Sequence, residues 1–445
     1  MESCAPVDLE RQVRQLLADK VCGNMVGIWL LVPELLRLGA WDLIRSWSAD
    51  PSGLSAEPRL AMHLVNEAAL GVKLRRRIQL SQKGFELANG LPFVPSDKAI
   101  HNLLSAHDIQ DANVLQVALG KLRRASGHFK GDVLAIDPHH MRSYSKRQTR
   151  RHRHTVNERA VKTSQTVFMI DADTEAPLCA SLYSSSCPVS QTTSDLLRST
   201  AAILPSGAWR PLVLADAEYF AQSLFAEADK LGFDILVPLP REKSHAKRMA
   251  AIPASQFTPH WPGYATTQQP FQFTGQKTGK HNYCLLVQRQ GERPSEYTYA
   301  GYLCTSVRDE LHALTNDYPK RWHIEEFFNR DQSLGWKRAG TLNLNIRLNQ
   351  MSLAMIAQAA IHQLRGRLPS PYSTWNADSL ATHFFNGIDG DIRVREDTIV
   401  VTYYNAPKSE KWRAQYEGLP ALLECEGMQP RIPWLYGFKL DFRFK

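Results

Sequence analysis

Apolar positions in the first 128 residues recur at helical spacing: a stretch after Asp8 runs to Leu17, Leu35, Leu36 and Leu38 follow Pro33, and residues 61–74 carry a further stripe. Ser96 and Asp111 stand where N-caps would open the last two helices. A helix-turn-helix fits residues 96–124, and a generic helical bundle fits them better. The pattern changes at Gly131. Val133-Leu134-Ala135-Ile136 is a β-branched run ending in Asp137-Pro138, and residues 166–171 and 178–183 read as two more strands around a turn at 173–177. A helix over 194–203 is followed by the strand Leu212-Val213-Leu214-Ala215 ending at Asp216, a helix over 221–231 closed by Gly232, and a strand over 233–237. Three consecutive strands, then helix, strand, helix, strand, predict a mixed α/β sheet.

From 241 to 306 the helical signal disappears, and residues 271–274, 281–289 and 297–305 are aromatic and β-branched between Gly- and Pro-containing turns, which predicts a β-rich insertion. Helices resume at Arg308 and run with breaks to Arg367. The tail holds one hairpin over 392–404. The expected organisation is a helical N-terminal domain over 1–128, a catalytic core over 129–240 and 307–367, the insertion over 241–306, and a C-terminal region over 368–445.

Charge sharpens this picture. The formal net charge of the 445 residues is +9, and the segment from Arg142 to Lys162 alone carries +7: Arg142, Lys146, Arg147, Arg150, Arg151, Arg153, Arg159 and Lys162 against Glu158. His152 and His154 interleave the arginines, and strands flank the run. A solvated loop and a hairpin edge offered to phosphates both fit it, the second better. Seven cysteines, with no CxxC pair, argue against a disulfide framework and a thiolate zinc site, and make a reducing cytosol the expected compartment. Residues 25–44 carry Pro33, Glu34, Arg37 and Asp42 and fall short of a membrane span, and the acids Asp8 and Glu10 interrupt any signal-peptide h-region. No Walker motif, GxSxG or dinucleotide fingerprint is present.

Asp137 and Asp216 each follow a strand, and the carboxyl ends of strands are where ligands bind in open α/β sheets. A lone Asp there is more often a turn former. Two on neighbouring strands would supply hard oxygen ligands suited to magnesium or manganese. In the segment from Asp317 to Gln332, Tyr318, Arg321, Glu325 and Gln332 fall at offsets 0, 3, 7 and 14, one stripe of an α-helix, with Trp322, Ile324 and Phe328 expected in the core. His139 and His140, adjacent on an extended segment, point to opposite faces and suit solvent or phosphate better than a shared metal. Glu218 and Glu326 lie near the acids but off the expected faces.

The stripe Tyr-x2-Arg-x3-Glu-x6-Gln resembles the Tyr-x2-Arg-x3-Glu-x6-Lys signature of one large group of bacterial insertion-sequence transposases of the DDE class. Ala-Ile-Asp137 and Leu-Ala-Asp216-Ala-Glu-Tyr-Phe resemble that group's two aspartate motifs, so the likeness covers about residues 131–365. It implies an RNase H-like core, and a β-strand insertion between Asp216 and Glu325 would fill the 109 positions separating them. It further implies that Asp137, Asp216 and Glu325 are the catalytic, metal-binding triad for two Mg2+ or Mn2+ ions, that Tyr318 and Arg321 grip the DNA end, and that element ends and target DNA are the partners of a homodimer in the bacterial nucleoid. Gln332 departs from the signature lysine: it donates a hydrogen bond to phosphate but no charge. Trp261, in the insertion, sits where related transposases stack an aromatic on an extruded base; as a residue it reads as core. Two other functions fit the same residues, an RNase H-like structure-specific nuclease and a catalytically lapsed DNA-binding descendant.

Overall fold

Runs that are buried on both faces make the centre of a parallel sheet, and the two runs ending in the aspartates are of that kind. In the computed structural model, which describes residues 6–23, 25–71, 83–142, 151–152, 159–184, 187, 189–205, 207, 209–273, 283–336 and 343–445, Leu134, Ala135, Ile136, Leu212, Val213 and Leu214 are all buried. Two compact units divide the chain: residues 127–327, and residues 1–126 together with 328–445.

The first unit is built on strands β1 (Val133–Arg142), β2 (Val161–Asp171), β3 (Pro177–Ser184), β4 (Leu212–Leu214) and β5 (Asp234–Pro238). Their order is β3-β2-β1-β4-β5, with β2 antiparallel to β1 and β3, and with β1, β4 and β5 parallel. Helix α1 (Val189–Ile203) crosses over between β3 and β4, and α2 (Gln222–Lys230) between β4 and β5. A three-strand antiparallel meander feeding two parallel βα units is the RNase H-like arrangement expected from the sequence. Asp171 closes the β2–β3 turn, accepting hydrogen bonds from the backbone N–H groups of Asp173 and Thr174 and, across the sheet end, from that of Gly131. Gly131 holds φ +86°, and a Cβ there would meet the Leu204 side chain.

After helix α3 (Lys243–Ala250) come the strands of the expected insertion: β6 (Thr258–Trp261), β7 (Tyr264–Phe271), β8 (Tyr283–Gln290) and β9 (Thr298–Cys304). They do not stand apart. β9 pairs antiparallel with β5, so one sheet runs from β3 through the core strands to β6. Leu212 and Leu214 of β4, Leu236 of β5, Cys284 and Leu286 of β8 and Cys304 of β9 form a single buried cluster with Ala313 and Leu314.

The other unit holds helices including Glu57–Ala69, Asp97–Ala106, Ile109–Ala125 and the 24-residue helix Leu344–Arg367, buried along most of its length. Ser96 caps its helix as expected, accepting from Ala99 N; the next helix is capped by Asp108 and not by Asp111, which instead closes a capping box from N3. The segment is not purely helical, because Val21–Gly23 pairs with Gly390–Arg395 at the edge of a sheet that continues through Thr398–Tyr403 to Lys439–Phe444. Asp331 anchors the long helix with a 2.8 Å ion pair to Arg365 and accepts from Gln358. Among the described residues no helix is long and apolar enough to cross a membrane.

Candidate active site

Parallel pairing of β1 with β4 covers Val133↔Leu212 to Ala135↔Leu214, and the same register carried two residues further sets Asp137 opposite Asp216. Asp137 does not end its strand, as the sequence pattern suggests. β1 continues to Arg142 because β2 goes on pairing it, with Asp137 opposite Phe168. The residue is therefore half-buried in the sheet just past the end of the parallel register. Asp216, exposed, opens a 3-10 turn, Ala217–Tyr219, and its carboxylate accepts the Ala217 N–H at 2.5 Å. That tight turn brings Glu218 and Tyr219 back toward the strand end.

Residues 310–331 are not one regular helix. A helical turn Glu310–His312 passes into a π-helical segment, Ala313–Asp317, then a 3-10 segment, Tyr318–Trp322, and only then helix α4 (His323–Asp331). The stripe drawn at 100° per residue thus fails at its far end: Gln332 lies beyond α4 in a second 3-10 turn, Gln332–Leu334. Trp322, expected in the core, is 57% exposed, with the Arg321 guanidinium over its ring; Ile324 and Phe328 are buried as expected.

Three contacts fix the start of α4 on the sheet. Lys320 pairs with Asp173 at 2.8 Å, His323 Nδ1 hydrogen-bonds the Ala172 carbonyl, and Phe327 packs edge-on against Phe168 with ring centroids 5.2 Å apart. Directly paired residues of an antiparallel ladder share a face, so Phe168 and Asp137 lie on the face that receives the helix bearing Glu325. Tyr318 reaches the other aspartate strand: its hydroxyl donates to Ala215 O at 3.5 Å, and its ring meets Tyr302 edge-on. Arg321 is buried, 3.9 Å from Glu325.

The electrostatics join these elements. Burial raises the Asp137 carboxyl to about 7; the Arg321 charge pulls it down, while Glu218, Asp216 and Glu325 push it up. Burial also raises Tyr219, and Asp137, Glu218 and Asp216 add to that rise. Glu218, although its side chain as a whole is exposed, is raised by desolvation and by Asp216. The surroundings of Asp137 thus hold three carboxylates and one guanidinium. Glu218, which the sequence pattern leaves off the site, acts on Asp137 ahead of Asp216 and Glu325; its only sequence signal is its place two residues after Asp216. Glu326 is exposed on α4. Among the described residues no three His, Cys, Asp or Glu side chains stand close enough together to hold a metal ion, so the acids share a field without closing a ligand cage. Their donor chemistry, hard oxygens with excess negative charge, fits a divalent cation.

Of the basic run, Lys146, Arg147, Arg150 and Arg153 lie outside the described residues. Arg142 ends β1, Arg151 pairs in a two-residue strand with Lys162 of β2, and Arg159 is exposed. Trp261 is not a core residue. It is 49% exposed on β6 and stacks on Tyr264 at 4.3 Å, because the outermost strand of a sheet buries little of its surface.

A search of curated proteins found no match to the chain. Among solved structures it is similar to the "piggyBac transposase synaptic complex with hairpin DNA", at 12% identity over 82% of this chain and 83% of that one, with a TM-score of 0.37, a likeness too loose to argue from. The family described as "Transposase DDE domain" matches residues 128–359, from just before β1 into the long helix, and with more than half of its length inside that match the chain belongs to this family.

Proposed function

We propose that the protein is a DNA transposase that cleaves the ends of its element and joins them to target DNA, with Asp137, Asp216 and Glu325 as the catalytic acids. The observation that carries this reading is that Asp137 and Asp216 follow the parallel register of neighbouring strands, and that Asp137 shares a sheet face with Phe168, on which the helix bearing Glu325 packs through Phe327. A carboxylate cluster with one nearby guanidinium is a poor site for an anionic substrate unless cations neutralise it. Asp137, Asp216 and Glu325 would hold Mg2+ or Mn2+, two ions with DNA bound, and such ions activate the attacking oxygen and stabilise the leaving one.

Around them the protein's own groups orient the strand. Arg321 donates to a phosphate beside Glu325, and Tyr318, packed against the Asp216 strand end, contacts the same DNA strand. Water first attacks a phosphodiester at the element end, breaking the P–O3′ bond and freeing a 3′-OH. That hydroxyl then attacks a second phosphodiester, on the opposite strand or in target DNA, and displaces its 3′ oxygen. The cations from Arg142 to Lys162 hold DNA backbone without reading sequence, and two copies of the chain grip the two ends.

The test is the purified protein with DNA carrying the inverted repeats that flank its gene and a target plasmid, with magnesium or manganese. Cleavage that exposes a 3′-OH, followed by joining to the plasmid, is the expected result. Cleavage of branched DNA without joining would replace this reading with a structure-specific nuclease. Binding without cleavage under either metal would mark a lapsed descendant, the reading that Gln332 favours.

A further inference from the structure

We propose that helix α3 and the preceding Arg241 form a phosphate-binding ridge that carries a DNA strand along the edge of the sheet to the acids. This deepens the transposase reading and rests on it. β5 runs parallel to β1 and β4 and ends at Pro238, so Arg241, three residues on, stands at the same sheet edge as Asp137 and Asp216.

The inner side of α3 is fixed by three contacts. Met249 is buried over Gly301 of β9, where a Cβ would come within 2.8 Å of its sulfur. Arg248 donates to Pro270 O at 3.1 Å and lies over the Phe271 ring. His245 meets Phe220 edge-on, and Phe220 follows Tyr219 directly, so the helix is tied to the turn that begins at Asp216.

The outer side is different. Arg241, Lys243 and Lys247 are exposed and hold no carboxylate among the described residues. Lys243 and Lys247, four apart, repel each other on one helix face, which weakens an isolated helix. Glu242 does not neutralise them, for its carboxylate faces His245 at 3.9 Å and Ser244. Elsewhere in the same unit Arg198, Arg210, Arg308 and Lys320 each pair with an acid. Unpaired cations on a helix anchored beside an acid cluster match a phosphodiester backbone. Lys and Arg without a base-reading element at this place contact phosphate, not sequence.

The experiment uses the full chain with Asp216→Ala, so that DNA is bound but not cut, and compares it with the same protein carrying Arg241→Gln, Lys243→Gln and Lys247→Gln. Affinities for an element-end duplex and for an unrelated duplex of equal length are measured between about 50 and about 200 mM salt. The triple variant should flatten the slope of log K against log salt by about 0.9 per phosphate lost, up to about 2.7, and equally on both duplexes. A charge-keeping variant, Arg241→Lys with Lys243→Arg and Lys247→Arg, should keep the wild-type slope, and its retention shows that the loss is one of charge and not of folding. An unchanged slope in the glutamine variant overturns the ridge, including the case in which that variant instead loses binding to an acidic peptide. If the wild-type chain cuts and joins DNA while the slope is unchanged, the ridge alone fails. If the slope flattens while the wild-type chain cuts nothing, the ridge stands and the transposase reading fails.

Discussion

Arg321 and Glu325 face each other at 3.9 Å, one turn apart, and the same guanidinium opposes the rise of the Asp137 carboxyl. One buried cation thus serves two of the three proposed catalytic acids, and its Nε has no hydrogen-bond partner among the described residues. A planar fork can hold a carboxylate and still present an N–H to phosphate, which an ammonium cannot reproduce in geometry. Arg321→Lys should therefore slow end cleavage about ten- to hundredfold, the size of one charge-assisted hydrogen bond of about 1.5–3 kcal/mol. End binding should change no more than a few fold. Cleavage at the wild-type rate would remove Arg321 from the site.

The acid cluster makes opposite predictions with and without metal. With magnesium present, Asp137→Asn, Asp216→Asn or Glu325→Gln should each abolish cleavage. In a chelator the same carboxylates only repel phosphate, so each substitution should tighten DNA binding, more at low salt than at high, and least for Asp137, whose raised carboxyl is already partly neutral near pH 7. Filter binding in the two buffers reads both effects. Any one variant that still cleaves takes its residue out of the triad.

The sequence pattern reveals the parallel strands because their runs are buried on both faces, as at Leu212–Leu214. It mislocates the end of β1, since the extension from Asp137 to Arg142 is set by pairing with β2, a partner distant in sequence. Periodicity assumes one helical pitch. The π and 3-10 segments from Ala313 to Trp322 break that assumption, which is why Trp322 turns outward and Gln332 leaves the stripe. Glu218 and Tyr219 lie in a three-residue turn too short to have a period. That β9 would join β5 was equally illegible, because a strand's own residues say little about its neighbour. Motif order in the sequence points to the acids of the candidate site; the field they share depends on the fold that brings their elements together.

His362 provides a stability test independent of catalysis. Burial, with the charges of Arg123 and Arg365, lowers its pKa to about 4, and Asp331 offsets only part of this. Between about pH 6.5 and about pH 4 the unfolded chain binds a proton there that the folded chain refuses, so stability falls as pH falls through that window. The loss is on the order of 2–3 kcal/mol at its lower end. Urea unfolding of the wild type and of His362→Gln from pH 7 to pH 4 should show a shallower decline in the variant. Parallel pH profiles would place the acid sensitivity elsewhere.

Tyr219 sets stability against function. Its side chain is fully buried, and its hydroxyl finds no hydrogen-bond partner among the described residues while Asp137, Glu218 and Asp216 surround it with negative charge. A buried hydroxyl left without a partner costs about 1–3 kcal/mol, and such costs persist where the group is needed in a state other than the resting one. The nearest use is to donate to one of these carboxylates once DNA and cations draw the cluster together. Tyr219→Phe keeps the ring and removes only the hydroxyl, so without metal it should raise the unfolding free energy by about 1 kcal/mol. With magnesium and element-end DNA the same variant should cleave several fold more slowly, its DNA affinity unchanged. Denaturant unfolding in a chelator and single-turnover cleavage measure the two halves. If Tyr219→Phe is instead destabilised by about 1 kcal/mol or more, the hydroxyl already has a partner in the resting protein, and its role is to hold the turn and not to serve the acids.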